Sequence, residues 1–269
     1  MKKTILFTGS TDGIGKLAAI KLAKDDHQVV IHGRSPEKVE RVVNEINKIS
    51  GQEILGFACD LSDLSSIPNF ANEISSSLSS LDVLINNAGV FKSPKSLTGE
   101  GLDIRFAVNY FAPYILTDLL LPLLLESPNP RIINLSSAAQ SPVDLDALKG
   151  NKQLSAQESY AQSKLALTMW STFLSREQKG ITTIPVNPGS LLNTNMVKEA
   201  YGRYWSSADK GGNILYELAV MEEYNRHSGE YFDNDRGTER GSFSTAHPDA
   251  YDMDKIEELM KITNEVLKI

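Results

Sequence analysis

The chain has 269 residues, enough for one large α/β domain or two small ones, and its 41% hydrophobic and 23% charged residues describe an ordinary globular protein with a sizeable core. A net charge of −7 argues against nucleic acid as the main partner. The single cysteine, Cys59, has no internal disulfide partner, which suits a reducing cytoplasm.

Apolar runs at residues 4–8, 28–33, 53–59, 83–86, 131–136 and 182–187 predict strands. Between them, amphipathic stretches at 14–24, 37–49, 64–78, 102–125 and 159–177 predict helices. The basic, apolar start is broken by Gly9, Ser10, Asp12 and Gly13, too soon for a signal peptide. The run 115–125 carries Asp118 and Pro122, is too short to span a bilayer, and is expected as a buried helix rather than a membrane anchor. A short extra strand is expected at 229–232. The helix at 254–267 gathers Ile256, Leu259, Met260, Thr263, Val266 and Leu267 on one side for packing. Strand–helix alternation at this spacing builds right-handed βαβ units and a parallel sheet covered on both faces. The expectation is one α/β domain over 1–269 with a doubly wound parallel sheet in three layers (α/β/α), a substrate loop near 190–210 and a C-terminal extension near 234–269.

Residues 141–158 and 193–207 fit the alternation badly. Ligands of open α/β sheets bind outside the carboxyl ends of the strands, so both segments are candidate substrate walls. For Tyr201, Tyr204 and Trp205 the alternative is a short helix packing its aromatics on the core.

Gly9, Gly13 and Gly15, within Thr8-Gly9-Ser10-Thr11-Asp12-Gly13-Ile14-Gly15, follow a strand and precede a helix. Glycine permits a tight turn and close backbone approach to a pyrophosphate at a helix N-terminus; a helix cap with spare glycines is the plainer alternative. The second strand ends in Gly33-Arg34-Ser35. An acidic residue there would accept from a ribose 2′-hydroxyl, whereas a guanidinium holds a 2′-phosphate in a charge-assisted fork. Arg34 therefore predicts NADP(H) over NAD(H).

Tyr160 and Lys164 stand four apart on a predicted helix and share one face. A phenol titrates near ~10. An ammonium about 4 Å away at an effective dielectric of ~20 is worth roughly 4 kcal/mol, or about three pKa units, enough to bring the phenol toward neutrality. Alone, the pair also arises on solvated helices.

The ordered set Thr8–Gly15, Asn86-Asn87-Ala88-Gly89, Asn109, Ser137, Tyr160/Lys164 and Asn187-Pro188-Gly189 resembles the short-chain dehydrogenases/reductases, over residues 4–233. The 23 positions from Ser137 to Tyr160, with Ser207-Ala-Asp-Lys-Gly-Gly and Ser228-Gly-Glu-Tyr-Phe, are similar to the retinol-dehydrogenase-like and WW-domain-oxidoreductase-like branch. The resemblance implies a Rossmann fold and hydride transfer between a nicotinamide cofactor and a carbonyl or alcohol, the substrate a small or apolar aldehyde or ketone. It implies that Ser137 orients the carbonyl, Tyr160 exchanges the proton, Lys164 tunes the phenol and holds the nicotinamide ribose, and Asn109 holds a water. Gly9, Ser10, Thr11, Gly13, Ile14, Gly15, Arg34, Asp60, Asn86, Gly89, Tyr160, Lys164, Pro188 and Gly189 are then the cofactor residues. For Asp60, capping of the helix near Leu64 is the alternative, and for Asn109 a buried structural amide. The family's Thr after the Asn-Pro-Gly turn corresponds to either Asn193 or Thr194. Helices near 109–125 and 160–174 are where the family often pairs subunits, implying a homodimer or homotetramer. A redox-sensing NADP-binding protein without turnover is the alternative from another class, disfavoured by the retained Tyr160. An epimerase or dehydratase of the extended branch is disfavoured by the glycine spacing.

The histidines, His27, His32, His227 and His247, lack paired ligand spacing, so no metal site is expected. Residues 233–237 faintly resemble a calcium loop, but Ser244 stands where a bidentate Glu is needed; an acidic surface turn is expected.

Overall fold

The computed structural model describes residues 2–237 and 240–268. Strand β1 (Thr4–Phe7) leads into α1 (Gly13–Lys24), β2 (Gln28–Gly33), α2 (Pro36–Ser50), β3 (Leu55–Ala58), α3 (Ile67–Ser77) and β4 (Val83–Asn86). Next, α4 (Ile104–Phe106), a π turn (Ala107–Phe111) and α5 (Ala112–Leu125) form one helical run. Then come β5 (Arg131–Leu135), the short α6 (Leu145–Leu148), α7 (Ala156–Glu177) and β6 (Thr182–Asn187). Helices α8 (Asn195–Tyr201) and α9 (Ala208–Val220), strands β7 (Tyr231–Asp233) and β8 (Ser242–Ser244), and α10 (Met253–Leu267) follow. Of the extension expected over 234–269, residues 238, 239 and 269 lie outside the described residues.

The strands make one sheet in the order β3-β2-β1-β4-β5-β6-β7-β8, parallel except where β8 pairs antiparallel with β7. Strands β4 and β5 are buried at every residue, as a sheet covered on both faces requires. Alternation sends Leu6, Val30, Leu84 and Ile132 to the face covered by α3, α5, α7 and α10. Ile5, Phe7, Ile31, Ile85 and Val186 go to the other, under α1, α2 and α9. Each such side chain contributes about 1.5–3 kcal/mol on burial. Arg131, buried at the start of β5, donates to the Leu218 and Met221 carbonyls and to Asn225, so its cation meets the C-terminal end of α9.

Strand β8 and helix α9 are among the elements that escape the sequence pattern. Strand β8 is three half-buried residues, Ser-Phe-Ser, with too little apolar alternation to register. Helix α9, over a stretch given no element from sequence, carries Gly211 and Gly212. They are there for packing: a Cβ on Gly211 would lie 2.8 Å from Ile14 Cγ2 and one on Gly212 3.0 Å from Leu17 Cβ, so their absence lets α9 close onto α1.

The run Ile104–Leu125 is 22 residues long and apolar enough by composition to cross a membrane, longer than the 115–125 stretch suggested. Here it is a core helix, with 56% of its apolar window buried in the fold. The face expected to pair between subunits is also partly covered. Tyr110 and Thr263 hydroxyls meet at 2.6 Å, Tyr114 donates to Asn264 at 2.9 Å, and Tyr114 packs on Trp170 of α7. Helix α10 thus occupies the surface those aromatics would present to a partner. Leu259, 1% exposed, sits in this seam. Leu259→Ala should cost about 2–5 kcal/mol in urea unfolding and keep a single transition; a separate early transition would show α10 to be peripheral.

Candidate active site

Strand order reverses at β1, whose neighbours are β2 and β4. Crossover helices leave in opposite directions there, opening a crevice at the carboxyl ends. A cleft of about 680 Å³ occupies it. Its floor is the loop after β1. Gly9 has φ +63° and lies so near the next loop that a Cβ would sit 2.7 Å from Ala88 Cα, so only glycine fits. The Asn87 amide donates to the Thr8 and Gly9 carbonyls, both at 2.8 Å, and the Thr8 hydroxyl accepts from the Asn87 and Ala88 amides, both at 3.0 Å.

His32, at the end of β2, completes the floor. Its Nδ1 accepts from the Gly9 amide at 3.1 Å and its Nε2 faces the Cys59 carbonyl at 3.1 Å, which requires the neutral Nε2–H tautomer. Its ring lies 4.7 Å from that of Phe70. Burial pushes its pKa down to about 4.

At the other end of the cleft, β5 runs out into Ser136 and Ser137, while α7 starts on a capping box between Ser155 and Glu158. Helical spacing brings Tyr160 and Lys164 to the cleft together. The Lys164 ammonium, 4% exposed, donates to the Leu135 carbonyl at 2.6 Å and sits 5.7 Å from the Tyr160 ring centre. Phe91 packs edge-on to Tyr160 at 4.9 Å and against Tyr201 at 5.6 Å.

Burial governs both titrating groups. It pushes the Tyr160 phenol up to about 12, with the Ser137 hydroxyl pulling the other way and Tyr201 adding to the rise. Part of Tyr160 still faces the cleft, so the direction matters more than the size. Burial also pushes Lys164 down to about 7. The phenol is therefore not brought to neutrality by its neighbour in this geometry, because desolvation dominates its titration. A phenolate and an ammonium lining one buried cleft attract each other more strongly than they would in water. Each charge is disfavoured alone, and each stabilises the other once both have formed.

Gly9, Thr11, Gly13, Ile14, Gly15, Arg34, Asp60, Gly89, Ser137, Tyr160, Lys164, Pro188 and Gly189 all line this cleft. Three expected residues stand behind it instead. Ser10 is fully buried, its hydroxyl donating to the Phe7 carbonyl at 2.9 Å and accepting from the His32 amide at 3.0 Å, which stitches β1 to β2. Asn86 donates to Thr117 and to Asn134 across the sheet, at 3.1 and 2.8 Å, leaving Asn87 to reach the cleft. Asn109, in the π turn, exchanges hydrogen bonds with the Val90 backbone and donates to the Ser163 hydroxyl at 2.9 Å. Its amide ties the loop beyond Gly89 to α7. Asp60 both lines the cleft and accepts from the Ser62 amide and hydroxyl. Of the pair left open from sequence, Thr194 faces the cleft and caps α8, while Asn193 turns toward Ser206. Leu191 takes up the extra residue at φ +48°. His32, Asn87 and Phe91 were missed as site residues. Only Asn87 carried a signal, in the motif around it.

A family model described as short chain dehydrogenase matches residues 3–204. The chain belongs to the short-chain dehydrogenases/reductases. Within that family it stands on the retinol-dehydrogenase-like branch. It is 35% identical to human (Homo sapiens) retinol dehydrogenase 11 over 243 residues, covering 86% of this chain and 76% of that protein. It is 32% identical to human polyprenol dehydrogenase over 258 residues, covering 88% and 78%. A short chain dehydrogenase from Escherichia coli CFT073, solved in complex with NADPH, superposes with a TM-score of 0.72 at 27% identity, covering 87% of this chain and 97% of that one. This short-chain dehydrogenase is thus an oxidoreductase built for hydride transfer with a nicotinamide cofactor.

The His32 linkage predicts acid sensitivity. An unfolded histidine takes up its proton near pH 6.5, the folded one only near pH 4. Stability from this group is full above about pH 6.5 and lost progressively as pH falls toward 4. Urea unfolding should show roughly 2 kcal/mol lost between pH 7 and pH 5 from this residue. That loss should vanish in His32→Gln, whose amide can still accept from Gly9 and donate to Cys59.

Proposed function

We propose that this short-chain dehydrogenase is an NADP(H)-dependent carbonyl reductase or alcohol dehydrogenase of the cytoplasm, acting on a small or apolar aldehyde or ketone. The observation that carries the reading is the meeting of Ser137, Tyr160 and Lys164 at one end of the glycine-loop cleft. The residues fit a dinucleotide. Lys164 has three donors and one acceptor, the Leu135 carbonyl, so a buried cation retains N–H groups for a ribose. At the far end Arg34 is exposed on the cleft wall, with no carboxylate within ion-pair distance among the described residues, a fitting partner for a 2′-phosphate. Relatives named for retinol and polyprenol, and a neighbour complexed with NADPH, support the same reading. Phe91 and Met196 give the cleft an apolar wall suited to such carbonyls, with Tyr201 stacked behind Phe91. The lone Cys59 supports a reducing compartment.

When bound, the nicotinamide supplies or accepts the hydride. Ser137 and Tyr160 hydroxyls hold the carbonyl oxygen and stabilise the charge that grows there. Tyr160, kept protonated at neutral pH by burial, hands its proton to that oxygen. The phenolate left behind is stabilised by Lys164, which favours its charged form once an anion stands beside it. In oxidation the phenol must first be deprotonated.

Tyr160→Phe should lower turnover by about 10²–10⁴-fold while NADPH affinity stays within about threefold; undiminished turnover in a carbonyl panel followed at the NADPH absorbance band would end the scheme. Arg34→Asp should move the NADPH/NADH preference toward NADH by roughly 10–100-fold. Alcohol oxidation should keep rising with pH well above neutrality while carbonyl reduction does not rise with it, since only oxidation needs the phenolate at the outset. A pH-independent oxidation rate would show another group to be the base.

A further inference from the structure

Residues 233–235 form only in part the surface turn expected from sequence: Asp235 is exposed, but Asp233 and Asn234 are buried. Strand β7 pairs with β6 so that Asp233 stands opposite Asn187, and the next residues wrap behind the turn that follows β6. The Asp235 carboxylate accepts from the Ser190 amide at 2.8 and 3.1 Å and from the Asn187 amide at 3.0 Å. Asp233 accepts from the same Asn187 amide at 2.8 Å. Asn234, 2% exposed, donates to the Pro188 carbonyl at 2.8 Å. The turn is held entirely from its back, and its front, Pro188 and Gly189, lines the cleft. Gly189 has φ +119°, a conformation an L-residue rarely adopts, so the turn relies on outside contacts to hold its shape. The Asp235 oxygen lies 3.7 Å from where a Cβ on Gly189 would be. Lys210 approaches the carboxylate at 3.4 Å, keeping it charged and aimed at the turn.

We infer that Asp235 is a positioning residue for the reacting end of the bound dinucleotide, its carboxylate setting the depth of the Pro188–Gly189 turn in the cleft that holds Tyr160 and Lys164. The inference rests on the proposed nicotinamide chemistry. Asp235 touches no reacting atom itself. It acts through the Ser190 amide, and a neutral amide in its place loses the charge-assisted hold and sets an NH₂ against the Asn187 amide.

The test uses Asp235→Asn, isosteric and still partly able to accept, beside Asp235→Ala, in the full chain. Two probes are compared by calorimetry: NADPH, and adenosine 2′,5′-bisphosphate, which has the adenosine end without the nicotinamide. Turnover is followed on one accepted carbonyl. The expected result is a kcat lowered roughly 10–100-fold and weaker NADPH binding in both variants, with bisphosphate affinity within about twofold of wild type. The loss should be smaller for Asn than for Ala. Equal weakening of both probes would make Asp235 a general structural support and overturn the inference. Unchanged kcat and NADPH affinity would overturn it too. Failure of the wild-type chain to bind NADPH or turn over a carbonyl would instead sink the proposed function.

Discussion

An ammonium taken out of water with no carboxylate beside it, among the described residues, is the constraint around which the site is arranged. An isolated buried cation is strongly disfavoured unless it is hydrogen-bonded or gives up its charge. Lys164 meets one carbonyl, Leu135, the last residue of β5, whose height is set by parallel pairing with β4 and β6. Its own backbone belongs to α7, and the Lys164 carbonyl accepts from Ser136 at 3.3 Å. Strand end and helix are thereby locked at the point where the cation sits. The loop after β4 passes close by it: a Cβ on Gly89 would be in ordinary contact with the ammonium at 3.5 Å. A change that lifts α7 from the end of β5 therefore acts on the chemistry before it acts on stability.

Much of the fold was legible because its signals are local. Fully buried strands such as Val83–Asn86 and Arg131–Leu135 read as short apolar runs, and α2 read as an amphipathic period. The glycine loop and the Tyr160/Lys164 pair were legible for the same reason, each being a short pattern in a fixed local context. Boundaries moved by a residue or two where strands fray, as at Leu55–Ala58. What failed was non-local. Helix α9 went unassigned, and the reason for its Gly211 and Gly212, the closeness of α1, lies about two hundred positions away in sequence. His32 was considered only as a metal ligand, whereas its partners are the Gly9 amide and the Cys59 carbonyl, just beyond the ends of two other strands.

The motif residues also divide by depth in a way no motif announces. Asn86 and Asn87 are adjacent, but strand alternation turns the first into the sheet, toward Thr117 and Asn134, and frees the second to clamp the glycine loop. Ser10 and Thr11 divide likewise. The members that stand behind the cleft carry its geometry. Asn109, fully engaged between Val90 and Ser163, has no spare amide hydrogen for a ligand, and its place in a π turn fits a helix deformed to bring that amide against the neighbouring loop.

Helix α10 also bears on how the chain is made. Tyr110 and Thr263, whose hydroxyls touch, are 153 positions apart. A ribosome releases β1 to β6, α5 and α7 well before it releases the segment that seals them. During that interval Tyr110, Tyr114 and Trp170 lie open to other nascent chains, and the seam forms by a long-range contact that is slow to find. Chaperone demand during synthesis should therefore concentrate on this one seam, late in translation, rather than on the glycine-loop half of the molecule.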